Sequence, residues 1–172
     1  MKTVKIILGI IIGLTVIFFA TGLIFKETAY TTQVTVNKPL EEVFSMFNDS
    51  SKIKNWIPEL KSIEPLDVKP EKTGSTYKMV VQNKNGEEIT LKEKVLAYVP
   101  NEKITLFFNA DNMLKTDDYT FSFENGVTTI QNNSSCKSNS YILSCLFPYF
   151  KGTFKKQDQG YLDNFKSFIE KS

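Results

Sequence analysis

Residues 30–51 read YTTQVTVNKPLEEVFSMFNDSS, and their periodicity changes half-way along. Tyr30, Thr32, Val34 and Val36 alternate with Thr31, Gln33, Thr35 and Asn37, the two-residue period of a strand with one buried face. Pro39 then fixes a φ suited to the first turn of a helix, and Glu41 and Glu42 favour the positive end of its dipole. Leu40, Val43, Phe44 and Phe47 follow at helical spacing. Asn48 to Ser51 breaks that helix and caps a second short one ending near Trp56, and Pro58 forbids its continuation. The domain therefore opens with one strand and two short helices.

Downstream, from Glu59 to Lys137, strands are punctuated by turn signals: Pro70 to Gly74, Asn85-Gly86, Pro100-Asn101, Asp111-Asn112 and Asn125-Gly126. This is a six-strand antiparallel meander. In the hairpin at Asn85-Gly86, a three-residue loop from Lys84 to Gly86 pairs Val81 with Ile89, Met79 with Leu91 and Tyr77 with Glu93. That register gathers the apolar residues on one face, which a two-residue loop does not. At Asn125-Gly126 a two-residue loop does better, setting Phe121 opposite Ile130 and Tyr119 opposite Asn132. The chain closes on Phe147, Phe150, Phe154, Tyr161, Leu162, Phe165, Phe168 and Ile169, an amphipathic stripe of five or six helical turns. The plan is α+β: a curved antiparallel sheet of about seven strands, two short helices and a long C-terminal helix gripped by the sheet.

Upstream, residues 6–25 (IILGIIIGLTVIFFATGLIF) carry no charge and, at ~1.5 Å rise per residue, span about the thickness of a bilayer core. The chain is expected to divide into an N-terminal transmembrane anchor, 1–26, and a soluble domain, 27–172. Ala20-Thr21-Gly22 offers a cleavage site of the small-x-small kind, but Leu23-Ile24-Phe25 continue the apolar run past it, which favours an uncleaved anchor. Lys2 and Lys5 precede the span, whereas Lys26 and Glu27 nearly cancel after it. The positive-inside rule then keeps the N-terminus cytoplasmic and sends the domain outward.

Composition excludes several classes of chemistry. All 21 basic residues are Lys, and there is no Arg and no His. Without His there is no Ser-His-Asp or Cys-His pair, and two Cys alone cannot close a structural zinc site. No metal and no cofactor is expected. Lys2, Lys5 and Lys26 flank the anchor, so 18 of the 21 lysines face all 19 acids in the domain, a net charge of −1. A nucleic-acid binder needs a basic surplus.

The 14 Phe, 7 Tyr and one Trp fit either an ordinary aromatic core or an apolar cavity between sheet and helix. The candidate cavity residues are Tyr77, Glu93, Phe108, Asp117, Tyr119, Phe121, Asn132, Phe154 and Asp158. Glu93 interrupts the series Ile89, Leu91, Val95 and Ala97, and Asp117 precedes Tyr119, Phe121 and Phe123 at the same parity. Asp158 breaks the helix stripe four residues after Phe154, either at its exposed margin or turned into the cavity. Gly160 inside a helix costs up to about 1 kcal/mol against Ala, which points to close helix-sheet packing or to the approach of Trp56 or a ligand. Cys136 and Cys145 are read as a disulfide or as two inert buried thiols.

Val34-x-Val36-x-x-Pro39-x-x-Glu42-Val43-Phe44, Phe47-x-Asp49 and Trp56-x-Pro58 resemble the opening of the START-like, helix-grip superfamily labelled SRPBCC, which includes polyketide cyclase/dehydrase-like proteins. Gly74-Ser75-Thr76-Tyr77 resembles the start of that family's third strand. Lys156-x-x-x-Gly160-Tyr161-Leu162-x-x-Phe165-Lys166 resembles its closing helix. The resemblance covers about residues 30–171, and the membrane anchor departs from the usual soluble member. It implies a helix-grip fold. Family members bind lipids, sterols, quinones or plant hormones, cyclise polyketides or assist chaperones. The expectation is a membrane-anchored binding module for a lipid, quinone or isoprenoid. The alternatives are a cyclase or dehydratase, with Glu93 or Asp117 as base and Tyr119 as acid, and a protein-interaction domain using the outer sheet.

Overall fold

The computed structural model describes residues 2–83 and 85–171. An apolar helix, α1 (Lys2–Ile24), is followed by β1 (Thr28–Val36), which buries Thr28, Tyr30, Thr32, Val34 and Val36 in strict alternation. Pro39, extended at φ −61° and ψ 147°, caps α2 (Leu40–Phe47), whose Val43, Phe44 and Phe47 face inward. A 3-10 turn (Ile53–Asn55) ends at Trp56. Six strands follow: β2 (Leu60–Asp67), β3 (Thr76–Gln82), β4 (Glu88–Val99), β5 (Lys103–Ala110), β6 (Met113–Glu124) and β7 (Val127–Lys137). Helix α3 (Tyr141–Ile169) closes the chain.

The sheet order is β1-β7-β6-β5-β4-β3-β2, antiparallel throughout, so α2 and the 3-10 turn carry the chain from one edge to the other. Leu162, Phe165 and Ile169 of α3 pack into one core with Val34, Val36, Val95, Ile104, Phe121 and Ile130 from the inner face of the sheet. Burying a side chain of this size contributes roughly 1.5–3 kcal/mol, which is why the helix stays on the sheet.

Both hairpin registers follow the alternation of apolar residues. Val81 faces Ile89, Met79 faces Leu91 and Tyr77 faces Glu93. The loop is closed by a hydrogen bond of 2.9 Å from the Asn83 amide to the Glu87 carbonyl, with Gly86 left-handed at φ +85°. Lys84 of that loop lies outside the described residues. Asn125 and Gly126, at φ 52° and 83°, form the two-residue turn that sets Phe121 opposite Ile130 and Tyr119 opposite Asn132.

Three expectations need correction. A bulge at Leu96, between the pairs Val95–Leu106 and Ala97–Thr105, shifts the parity of β4. The inward series continues at Tyr98 and not at Ala97, and the Tyr98 ring meets Phe44 at 5.4 Å. Phe150 does not belong to the buried stripe: it is 48% exposed. Gly160 does not mark close packing, because a side-chain carbon added there would meet nothing within 4 Å. Cys136 and Cys145 are both buried and free. Cys136 lies 3.9 Å from the Tyr30 hydroxyl under the sheet, whereas Cys145 approaches the Phe19 carbonyl of α1 at the same distance.

By length and composition α1 is able to cross a membrane. Its last turns pack on the first turns of α3. The Tyr141 hydroxyl donates to the Phe19 carbonyl at 2.6 Å, and the Thr21 and Tyr149 hydroxyls are 2.9 Å apart. The Phe19 ring stacks on Tyr141 and the Phe18 ring on Tyr149. Gly22 lies so close to the Cys145 sulfur that no larger residue fits between the helices unless that side chain moves.

Candidate functional site

Phe47, at the end of α2, collects rings around itself: Tyr119 at 4.9 Å, Trp56 at 5.0 Å, Phe165 at 5.2 Å and Phe121 at 5.4 Å. These rings fill the space beneath α3 but not the space over β3 to β6. There a hollow of about 250 Å³ remains, walled by Trp56, Tyr77, Glu93, Tyr98 and Leu106 among others. A second hollow of about 350 Å³ lies toward α3, against Leu91, Met113, Lys115, Asp117 and Phe154. Ile57, Met79, Phe108 and Tyr119 line both, so the two are lobes parted by four side chains.

Glu93 is the polar feature of the first lobe. Tyr77 lies opposite it on β3, and alternation turns both onto the inner face. Its side chain is buried, 7% exposed, and makes no hydrogen bond or ion pair with any described residue. Burial pushes its pKa up to about 7, and the nearby Asp117 carboxylate adds to the shift.

Beside the second lobe the charges are paired. Lys115 Nζ is 2.9 Å from Asp117 and 2.8 Å from Asp158. The Tyr30 hydroxyl donates to Asp158 at 2.8 Å, Ser134 Oγ donates to Asp117 at 2.7 Å, and Asn132 Nδ2 lies 3.3 Å from the same Asp117 oxygen. Burial alone would lower the Lys115 pKa, but the Asp117 and Asp158 carboxylates outweigh it and hold the ammonium charged. Burial raises Asp158, with Lys115 opposing and Asp117 reinforcing the shift. One lysine against two carboxylates leaves the ionised cluster with one net negative charge. Burial and Asp117 also raise the Tyr119 phenol, so it remains a hydrogen-bond donor.

Of the sequence candidates, Tyr77, Glu93, Phe108, Asp117, Tyr119 and Phe154 line one lobe or both. Three stand behind the walls. Phe121 is wedged between Phe44 and Phe47, Asn132 bonds Asp117, and Asp158 is turned inward but engaged by Tyr30 and Lys115. Sequence reasoning missed Lys115, although it shares the parity of Asp117 and Tyr119 on β6. It also missed Tyr98, hidden by the bulge. Gly160 lies on an open groove with Pro58, Gly152 and Lys156 that shares Glu59, Asn83, Gln157 and Tyr161 with the second lobe.

The strands that carry these walls lie within residues 37–134, which match the profile of the family described as Activator of Hsp90 ATPase homolog 1-like protein. The match spans more than half of the chain. The chain belongs to that family. No curated protein sequence matches this family member. Its fold is similar to that of Ara h 8.0201, with a TM-score of 0.67 at 11% identity over 85% of this chain and 99% of that one. It is similar to Zhui aromatase/cyclase from Streptomcyes sp. R1128, with a TM-score of 0.67 at 13% identity over 84% and 94% of the two chains. The di-domain ARO/CYC StfQ from the steffimycin biosynthetic pathway gives 0.69 at 13% identity over 84% of this chain and 52% of that one. At such identities the likeness is one of fold. The chain thus has the helix-grip fold of the SRPBCC, polyketide cyclase-like superfamily, as its opening and closing motifs imply.

Proposed function

We propose that the protein is a membrane-anchored binding module for a hydrophobic small molecule of lipid, quinone or isoprenoid type, held in the two-lobed cavity. The observation that carries this reading is the hollow itself, walled by apolar and aromatic side chains around a buried Glu93 with no partner among the described residues. Protein interiors seldom leave space larger than a water molecule, and a buried unpaired carboxylate is costly. A pocket with apolar walls and a few placed polar groups is the usual form of a small-molecule site.

Anchoring by α1 is supported by its length and apolar character. With Lys2 and Lys5 preceding the span, the N-terminus is cytoplasmic and the domain outside. The contacts of Phe19, Thr21 and Gly22 with α3 then bring Tyr141 to Phe150 to the bilayer surface, where Ile142, Tyr149 and Phe150 are exposed. Phe147 of that stretch packs edge-on against Phe154, which lines the second lobe, so only this aromatic pair lies between the bilayer-facing stretch and the cavity.

A second reading, an enzyme of the cyclase or dehydratase type, is favoured by Tyr119. This protonated phenol lines both lobes, one holding Glu93 and the other Asp117. In that reading Glu93→Gln abolishes turnover and leaves binding largely intact.

Native mass spectrometry of the full chain, gently extracted from membranes, tests the binding reading. One lipophile per chain is expected, held less tightly in Leu106→Phe, which narrows the first lobe. A wild-type chain that emerges empty and takes up no added lipophile overturns it.

A further inference from the structure

We propose that the Glu93 lobe is a subsite for a cationic hydrogen-bond donor, the protonated amine of an otherwise apolar molecule. This rests on the reading of the cavity as a binding site and names the chemistry of its polar end. The groups that share the lobe with Glu93 are Tyr77 from β3, Tyr98 from its own strand, Tyr119 from β6 and Lys72 from the connection before β3, while Asp117 acts from the second lobe. Lys72 is the one cation among them, and it lies at the exposed mouth against Tyr98. The charged group that acts on Glu93 is Asp117, of the same sign.

The two lysines near the lobes are otherwise engaged. Lys115 is shared between Asp117 and Asp158. Lys72, on the rim, lies 4.6 Å over the Tyr98 ring with its ammonium 3.3 Å from the Tyr98 hydroxyl. The chain has no Arg and no His to take their place. An ionised Glu93 is therefore a buried acceptor with no donor among the described residues, in a field made more negative by the cluster behind it. An ammonium supplies both the charge and the donors. A carboxylate or phosphate would instead be desolvated beside two anions. Trp56 Nε1, also buried without a partner beside the lobe, offers a neutral donor to a ligand acceptor but no charge.

The probes are n-octylamine, n-octanol and n-octanoate, titrated into full-length protein in lipid vesicles and read by the fluorescence of Trp56, the sole tryptophan, which stands in the lobe wall. At pH 8 the amine should bind at least about tenfold more tightly than the alcohol, the lower end for a charge-assisted pair. Octanoate should bind most weakly. Lowering the pH to 5.5 protonates Glu93 and should shrink the amine advantage to under about threefold. Glu93→Gln should remove that advantage at pH 8, and the ratio of amine to alcohol binding in the variant corrects for partition of the probes into lipid. Equal binding of amine and alcohol by the wild type at pH 8, or tighter binding of octanoate, overturns the subsite and leaves the binding reading standing. No saturable response to any of the three probes overturns both.

Discussion

Tyr30 and Asp158 are joined by a hydrogen bond of 2.8 Å between the first strand and the closing helix. Asp158 is the residue that breaks the apolar stripe of α3, and this bond shows what the break is for. The helix is held to the sheet by buried charge as well as by Leu162 and Phe165, with Lys115 bridging Asp158 to Asp117 of β6.

Lys115→Met should therefore destabilise the fold by about 3–5 kcal/mol, because it leaves two buried carboxylates with no cation. Burial already raises the Asp158 carboxyl against the opposing Lys115 charge, and without the ammonium it rises further, so the folded state holds an extra proton and loses stability as pH rises. Chemical denaturation should show a larger deficit at pH 8 than at pH 5. A loss that does not change with pH would contradict the charge assignment.

Glu93 has its own signature. Its folded pKa of about 7 lies well above the ordinary glutamate value of 4.5, so its ionisation opposes folding. The wild type should lose up to about 3 kcal/mol of stability as pH rises from 4.5 through 7. Glu93→Gln keeps the shape, flattens this part of the profile and makes the protein more stable than wild type at pH 8. A variant less stable than wild type at pH 8 would mean that Glu93 has a partner when charged.

Gly160→Ala should be tolerated and should stabilise α3 by up to about 1 kcal/mol, since the added carbon meets open space. Thermal unfolding decides it. A marked loss of stability would restore the close packing expected from the sequence.

The fold was legible because it is written in local periodicity. The alternation around Val34, the turn at Gly86 and the spacing of Leu162, Phe165 and Ile169 each need only a few neighbouring residues. The opposition of Tyr77 and Glu93 was readable for the same reason, since one register of one hairpin decides it. What was not readable depends on residues far apart. Lys115 looks like any solvated strand lysine until Asp158, 43 residues on, arrives beside it. No turn residue announces the bulge at Leu96, so alternation alone carries the inward series to Ala97 and not to Tyr98. Spacing alone leaves the edge of a helical stripe undetermined, which is why Asp158 has two readings and Phe150 falls within the stripe. The seating of Gly22 against Cys145 joins residues more than a hundred positions apart and leaves no local trace.

The most direct test of a cavity that holds a hydrophobic molecule uses Trp56 as its reporter. Trp56 is 4% exposed and lines the first lobe, so a contact quencher in water or in the bilayer is kept from it. An eight-carbon alcohol brominated at its far end should quench the fluorescence of the full-length protein in vesicles saturably, at one molecule per chain, and Leu106→Phe, which narrows the lobe, should shift that saturable component to higher concentration. Quenching that rises linearly with the brominated alcohol, without saturation and equally in both proteins, would show that nothing enters the lobe.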